Sequence, residues 1–109
     1  MTPEQVVAVA RVKAREGAGE ELKRELLSTL VLSRAEPGNI EFVIHRGVDD
    51  ASVFVSYERW ASREDLNRHL QTPHLKAFME KAGELLAAPP EITLLEILEP
   101  ENSNAGEGG

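Results

Sequence analysis

The chain of 109 residues contains no cysteine. It therefore cannot form a disulfide, use a thiolate nucleophile, or hold zinc or an iron–sulfur cluster through sulfur. A cysteine-free chain suits a reducing compartment, so we expect a cytoplasmic protein. Its length is that of one domain, which can bury a core without such cross-links.

Long apolar runs and excess positive charge are also missing. No run approaches the roughly 20 apolar residues that cross a bilayer, and residues 1–5 lack the basic and apolar parts of a signal peptide. Lysine and arginine number 12 against 19 aspartates and glutamates, which gives a net charge of −7. Membrane and nucleic acid are therefore not expected partners, whereas a small molecule or a second copy of the chain is.

Aromatic residues are scarce, and the polar ones are concentrated in one stretch. The only tyrosine, Tyr57, and the only tryptophan, Trp60, end one apolar segment. Two of the three histidines, His69 and His74, follow shortly after. A strand–helix junction with such side chains is where we expect a site.

Hydrophobic periodicity predicts the order β-α-β-β-α-β, a ferredoxin-like α+β fold with an antiparallel sheet. Strands are predicted over 6–12, 39–46, 53–60 and 91–99, and long helices to about residue 34 and from 73 to about 86. Residues 1–100 are expected to form the domain. Residues 101–109 lack large apolar side chains and are predicted to be a disordered tail.

Two N-terminal caps and two apolar stripes define the helices. Ser62 followed by Asp65 has capping-box spacing, and Thr72 followed by Pro73 provides a second cap with proline at the first helical position. Apolar residues at helical spacing predict the buried stripes, which are Leu22, Leu26, Leu27, Leu30 and Val31 in the first long helix and Leu75, Phe78, Met79 and Ala82 in the last.

The register of the second and third strands of the chain can be predicted from side-chain alternation. Pairing the apolar sets Ile40, Phe42, Ile44 and Val53, Val55, Tyr57 on one face requires Asn39 to lie opposite Trp60. The other face would then carry polar and aromatic side chains, which are Asn39, Glu41, His45, Phe54, Ser56, Glu58 and Trp60.

The first and last strands of the chain are apolar on both faces, although a ferredoxin-like sheet has helices on one face only. A second copy packed sheet to sheet would cover the remaining face without further sequence. We therefore expect a homodimer, with Tyr57 near its interface.

The chain resembles the antibiotic biosynthesis monooxygenase (ABM) domain family over residues 6–99. The resemblance is carried by Tyr57-Glu58-Arg59-Trp60, the Ser62 helix, the run from His69 to His74, and Glu36-Pro37-Gly38-Asn39 followed by Phe42. It implies a dimeric α+β barrel with a pocket between sheet and helices in each subunit. Members of this family oxidise phenols or quinols with dioxygen and no cofactor, degrade haem, or isomerise a phosphorylated quorum-signal product.

Single positions distinguish these subgroups. The polyketide-oxidising members share Trp60 but have Asn in place of Ser56 and Tyr in place of Leu66. The haem-degrading members also share Trp60, but they have Asn at the position of Ala10 and their haem-ligating His at that of Met79. The isomerases have Tyr in place of Trp60. Bacterial quinol monooxygenase-like members share Trp60 and nearly the whole 69–74 run, and this subgroup is the one that the chain resembles most.

The leading hypothesis is a cofactor-independent monooxygenase acting on a small quinol or related aromatic. Trp60 is expected to hold the substrate, and His69 or His74 to remove its hydroxyl proton, because a phenolate reduces dioxygen more readily than a phenol. Asn39 and Ser56 would hydrogen-bond the developing oxyanion. The remaining predicted substrate-binding residues are His45, Glu58 and Phe78.

Other interpretations of these residues stay open. Arg46 or Arg59 can pair with the carboxylates in a purely structural network. No metal site is expected, because no two histidines have the spacing of ligands on one helix. The resemblance implies a reaction without a cofactor. The alternative functions are isomerisation of a small phosphorylated carbonyl compound and non-catalytic binding of a small ligand by a dimer.

Overall fold

The computed structural model describes residues 4–100, and the predicted tail over 101–109 lies outside them. Its strands are β1 (Val6–Lys13), β2 (Asn39–Arg46), β3 (Val53–Trp60) and β4 (Glu91–Glu96), and its helices are α1 (Gly19–Arg34), α2 (Arg63–Leu70) and α3 (Pro73–Ala82). The four strands pair in the order β2-β3-β1-β4, each antiparallel to its neighbour. This topology confirms the predicted ferredoxin-like α+β fold.

Two elements are shorter than predicted. Helix α3 ends at Ala82 rather than near Leu86, and β4 ends at Glu96 rather than at residue 99. Leu86 instead forms an isolated bridge with Ala14. The backbone after Gly83 thus leaves the helix to hydrogen-bond with the end of β1, which anchors the segment leading into β4.

The predicted register of β2 and β3 is wrong beyond its first pair. Asn39 does lie opposite Trp60, but a β-bulge at Ile40 shifts all later pairs by one residue, so that Phe42 lies opposite Glu58. Because side chains alternate between the faces of a strand, this shift moves Phe42 and Ile44 onto the face of Ser56 and Glu58. It also leaves Glu41 and His45 on the opposite face.

The helices cover one face of the sheet and enclose the core with it. Two apolar clusters lie there, one around Leu22 and Phe54 and the other around Trp60 and Leu66. Of the predicted helical stripes, Leu22, Leu30, Phe78 and Ala82 are buried as expected. The prediction is wrong for three members, since Leu27 and Met79 are each 43% exposed and Val31 is 69% exposed.

The opposite face of the sheet carries no helix among the described residues. Side chains of alternating strand positions form it, with Val9 opposite Tyr57 and Thr93, and Val43 beside Tyr57 on the other side. Strand β4 at the sheet edge is exposed along its whole length. Within residues 4–100, no helix has the length and apolar character needed to cross a membrane.

Candidate active site

A cavity of about 300 Å³ lies between the helix-covered face of the sheet and the helices. This volume is at the small end of the range of ligand sites. Its polar lining is limited to four side chains, Thr29, Ser56, Glu58 and His69, and no lysine or arginine of the described segment lines it. The remaining lining is apolar and comprises Ala8, Ala10, Val12, Leu26, Phe42, Ile44, Phe54, Val55, Leu66, Leu70, Leu75, Phe78, Met79, Pro90, Ile92 and Leu94.

Glu58 is the buried carboxyl group of this cavity. It lies on β3 between Ser56 and Trp60, and all three side chains point to the helix-covered face because they alternate along the strand. The hydroxyl of Ser56 donates to Glu58 Oε2 at 3.0 Å, and Trp60 Nε1 donates to Glu58 Oε1 at 3.1 Å. Each oxygen of the carboxyl group therefore has one fixed donor.

Burial raises the pKa of Glu58 above its ordinary value of 4.5. The hydrogen bond from Trp60, the nearby His69 and the hydrogen bond from Ser56 favour the ionised form and oppose this effect, whereas the charge of Glu36 adds to it. His69 Nε2 lies 3.8 Å from Glu58 Oε1. Glu58 and His69 thus form a close acid–base pair at the cavity wall.

The break between α2 and α3 positions the two histidines. Ser62 accepts from the backbone N–H of Asp65 at 3.1 Å, and Thr72 Oγ1 accepts from that of Leu75 at 3.3 Å, so both predicted caps are confirmed. The Thr72 hydroxyl also donates to the carbonyl of His69 at 2.7 Å, which joins the end of α2 to the start of α3. His69 in the last turn of α2 and His74 in the first turn of α3 consequently face the same point.

That point is the carboxylate of Glu36, in the turn between α1 and β2. Its Oε2 atom lies 2.8 Å from His69 Nδ1 and 2.6 Å from His74 Nε2. An ionised carboxylate can only accept hydrogen bonds, so each imidazole donates an N–H to it. Short charge-assisted bonds of this kind offset the cost of burying the carboxylate.

The same three side chains are the described residues that come nearest to a metal site. Glu36, His69 and His74 offer three ligand atoms within 4.8 Å of one another, a convergence that the sequence spacing did not reveal. Tetrahedral zinc with ligands at about 2.0 Å would hold those atoms about 3.3 Å apart. The observed nitrogen–oxygen distances are shorter by about half an ångström, so the cluster has the geometry of hydrogen bonds, and a cation would have to push it open.

The structure brings together five of the eight residues predicted for the site at or next to the cavity wall. Ser56, Glu58, His69 and Phe78 line the cavity. Trp60 is fully buried and does not line it, but its indole packs against the His69 ring with centroids 4.7 Å apart. Trp60 therefore contacts two residues of the cavity wall, Glu58 and His69, but not the cavity itself.

The other three predicted residues lie away from the cavity. His74 is not among the residues that line it. Asn39 stands at the start of β2, where its amide donates to the backbone of Glu41 at 3.3 Å. His45 is exposed on the uncovered face, where the bulge at Ile40 directs it.

Glu36 is the site residue that the sequence reasoning missed as a functional group. The sequence pointed to Glu36 only as part of the Glu36-Pro37-Gly38-Asn39 motif that carries the family resemblance. Gly38 has a φ of 84°, and its carbonyl accepts from the N–H of Ala61 at 2.8 Å, which docks this turn onto the segment before α2. No short-range pattern points to it, because its histidine partners lie 33 and 38 residues further along the chain.

Known proteins resemble this chain in sequence. A family model described as antibiotic biosynthesis monooxygenase matches residues 5–81. The chain is 32% identical to the Bacillus subtilis protein named "Putative monooxygenase YcnE", over 86% of this chain and 99% of that one. It is 31% identical to the Synechocystis protein sll1783, covering 88% of this chain but only 65% of the length of that protein.

A solved structure shares the fold over nearly the whole chain. The crystal structure of PA3566 from Pseudomonas aeruginosa superposes with a TM-score of 0.85 at 29% sequence identity, and the match covers 91% of this chain and 99% of that one.

Proposed function

Because the chain belongs to the antibiotic biosynthesis monooxygenase family, we propose that it is a monooxygenase that oxidises a small quinol or related hydroxylated aromatic with dioxygen and no cofactor. The observation that carries the proposal is the cavity of about 300 Å³, which is apolar apart from a few polar groups that include Glu58 and His69. An apolar wall suits an aromatic ring, and a proton acceptor beside it suits a phenolic hydroxyl.

The proton acceptor in this proposal is the pair formed by His69 and Glu58. A general base must reach the proton that it removes, and both side chains line the cavity whereas His74 does not. With Nδ1–H of His69 donated to Glu36, the lone pair of neutral His69 is on Nε2, the atom that faces Glu58. A proton taken from the substrate is then held between Nε2 and the Glu58 carboxyl group.

The proposed reaction converts one quinol and one dioxygen into one hydroxyquinone and one water. The deprotonated quinol passes one electron to dioxygen, and the resulting radical pair joins at a ring carbon to form a peroxide, which takes the stored proton. The ring carbon then loses its hydrogen as a proton while the O–O bond breaks. The departing hydroxide takes this proton and leaves as water, so the base ends as it began.

Ser56 and Trp60 support this chemistry by different contacts. Ser56 lines the cavity, where its hydroxyl can also bind a substrate oxygen. Trp60 excludes water behind the acid–base pair and holds Glu58 by its indole N–H. The role of Trp60 is therefore to position the proton acceptor.

The charge of the cavity favours this proposal over the isomerase. A phosphorylated substrate needs a cationic group, yet no lysine or arginine within residues 4–100 lines the cavity, and Glu58 does. The three cations that the sequence offers for a phosphate, Arg46, Arg59 and Lys76, do not line the cavity, and the two arginines are paired with other glutamates. A neutral ligand matches the site better.

Oxygen uptake with a panel of benzoquinols and naphthoquinols tests the proposal. We expect uptake by the wild type in the presence of a chelator, and a loss of about 100-fold or more in Glu58→Gln and His69→Gln. Glu41→Gln makes the same chemical change on the uncovered face and is the matched control. Uptake that is equal in all variants, or absent with every quinol, overturns the proposal.

The same panel separates the alternatives. A quinol that raises the melting temperature without any oxygen uptake indicates a binding protein. Conversion of a phosphorylated carbonyl compound without oxygen consumption, followed by NMR, indicates the isomerase.

We further propose that the protein is a cytoplasmic homodimer that packs through the uncovered face of the sheet. Support comes from the apolar side chains that this face leaves without a helix, among them Val9 and Val43, and from Leu95, which is 44% exposed. Sedimentation velocity should give a dimer at micromolar concentration and a monomer for Tyr57→Glu. A monomeric wild type contradicts this assembly.

A further inference from the structure

Glu36 occupies the place of an orienting carboxylate behind the proton acceptor. His69 has its two ring nitrogens directed at two different carboxyl groups, with Nδ1 at 2.8 Å from Glu36 and Nε2 at 3.8 Å from Glu58. Only the contact with Glu36 is within hydrogen-bonding distance. The single ring proton of a neutral imidazole is therefore best placed on Nδ1.

Burial makes this preference strong. The side chain of His69 is 3% exposed and that of Glu36 is 10% exposed, so water cannot replace either partner at little cost. Moving the ring proton to Nε2 would turn a lone pair towards the Glu36 carboxylate. Two acceptor atoms would then face each other in a buried site.

His74 holds the orienting carboxylate in place. Its Nε2 contacts the same oxygen of Glu36 from the first turn of α3, and its side chain is the most exposed of the three at 19%. A second donor on one oxygen limits rotation of the carboxylate. Because His74 does not line the cavity, its effect on a cavity ligand passes through Glu36 and His69.

We propose that Glu36 is a positioning residue that keeps the ring proton of His69 on Nδ1 and so presents the Nε2 lone pair to the Glu58 side, with His74 as the brace of Glu36. This inference rests on the proposed function, because it names what prepares the same proton acceptor. A carboxylate that fixes the tautomer of a histidine base and stabilises the imidazolium is a known arrangement in serine proteases. Here the base has a second carboxyl group on its reactive side.

The tautomer of His69 can be measured without a substrate. The chain has three histidines, so long-range ¹H–¹⁵N NMR of histidine-labelled protein gives three ring systems, and the exposed His45 serves as the internal reference. In the neutral form of the ring, we expect His69 to be protonated on Nδ1 alone. A wild-type His69 protonated on Nε2 overturns the proposal whatever the variants do.

Two variants separate positioning from simple packing. Glu36→Leu has a similar bulk but no hydrogen-bonding group, so we expect the ring proton of His69 to move to Nε2, where Glu58 accepts it. His74→Gln retains a donor to Glu36, and we expect His69 to keep the wild-type tautomer. An unchanged tautomer in Glu36→Leu overturns the proposal.

Kinetics distinguish failure of this inference from failure of the proposed function. If a quinol is oxidised, Glu36→Leu should lower kcat by about 100-fold with little change in KM, and His74→Gln should lower it less. A normal kcat in Glu36→Leu removes the positioning role and leaves the monooxygenase standing. If no quinol is oxidised, the NMR result still decides whether Glu36 sets the tautomer of His69.

Discussion

Nε1 of Trp60 donates a hydrogen bond of 3.1 Å to Oε1 of Glu58, two residues earlier on the same face of β3. Both side chains are buried. Trp60 is the only tryptophan of the chain, so all tryptophan emission comes from one indole that touches one ionisable carboxyl group. This pair provides an optical report of the protonation state of Glu58.

The tryptophan emission is expected to change with pH at a midpoint above 4.5, because burial raises the pKa of Glu58 from that ordinary value. A fluorescence titration of the wild type and Glu58→Gln measures it, and the transition should be absent from the variant. A wild-type midpoint at or below 4.5 contradicts the raised pKa. The same transition in both proteins would assign it to another group, such as the His69 ring that lies 4.7 Å from the indole.

Glu58 also makes the stability of the fold depend on pH. Since its pKa is raised in the folded protein, the folded state retains a proton that the unfolded state releases above 4.5. The free energy of unfolding therefore falls as the pH rises from 4.5 through the raised pKa, and the loss is complete above it. Below 4.5 both states are protonated and this contribution vanishes.

Glu58→Gln removes that dependence while it keeps an acceptor for the Trp60 N–H. We therefore expect the wild type to lose stability relative to Glu58→Gln as the pH rises across this window. Urea unfolding of both proteins at a series of pH values measures the difference. A stability difference between the two proteins that stays constant across this pH range would contradict the raised pKa of Glu58.

The local features of the fold were predictable from sequence, and the strand register was not. The caps at Ser62 and Thr72 are hydrogen bonds between residues a few positions apart, so a short stretch of sequence includes both partners. The bulge at Ile40 does not interrupt the alternation of apolar and polar residues along β2, so the sequence pattern does not indicate it. Without it, Ile40, Phe42 and Ile44 resemble one uninterrupted apolar face, and pairing apolar with apolar gives the wrong partner set.

The buried face of β3 was predictable in part. Alternation places Ser56, Glu58 and Trp60 on one face, but it does not show that Ser56 and Trp60 both donate hydrogen bonds to Glu58. Glu36 was missed because its partners, His69 and His74, are 33 and 38 residues further along the chain. Only the packing of the turn before β2 against the α2–α3 junction brings them together.

Gly38 controls the position of that turn, so Gly38→Ala is expected to destabilise the protein by about 1–3 kcal/mol. Its φ of 84° disfavours any side chain, and an added Cβ would overlap the side chain of Asp65. Chemical unfolding measures the loss, and Gly19→Ala is the control. Gly19 starts α1 with open space around it and no positive φ, so its replacement should be neutral or slightly stabilising. Equal stability of the two variants would show that the turn tolerates a side chain.

The absence of a cation from the described cavity lining predicts that a single lysine can change the ligands that bind. Met79 lines the cavity and is 43% exposed, so Met79→Lys places an ammonium at the wall without burying it. We expect this variant to bind a sulfonated naphthoquinol about 5-fold more tightly than the wild type does, because the added attraction is about 1 kcal/mol at such exposure. Neutral naphthoquinol should bind equally well or more weakly.

Leu27→Lys makes the same change on α1 at the same 43% exposure but away from the cavity, and it should alter neither affinity. Isothermal titration of the three proteins with both ligands measures these affinities. If both lysine variants gain the same affinity for the sulfonated compound, the effect comes from overall charge and not from the cavity. Tight binding of the sulfonated compound by the wild type would contradict a cavity selective for neutral ligands.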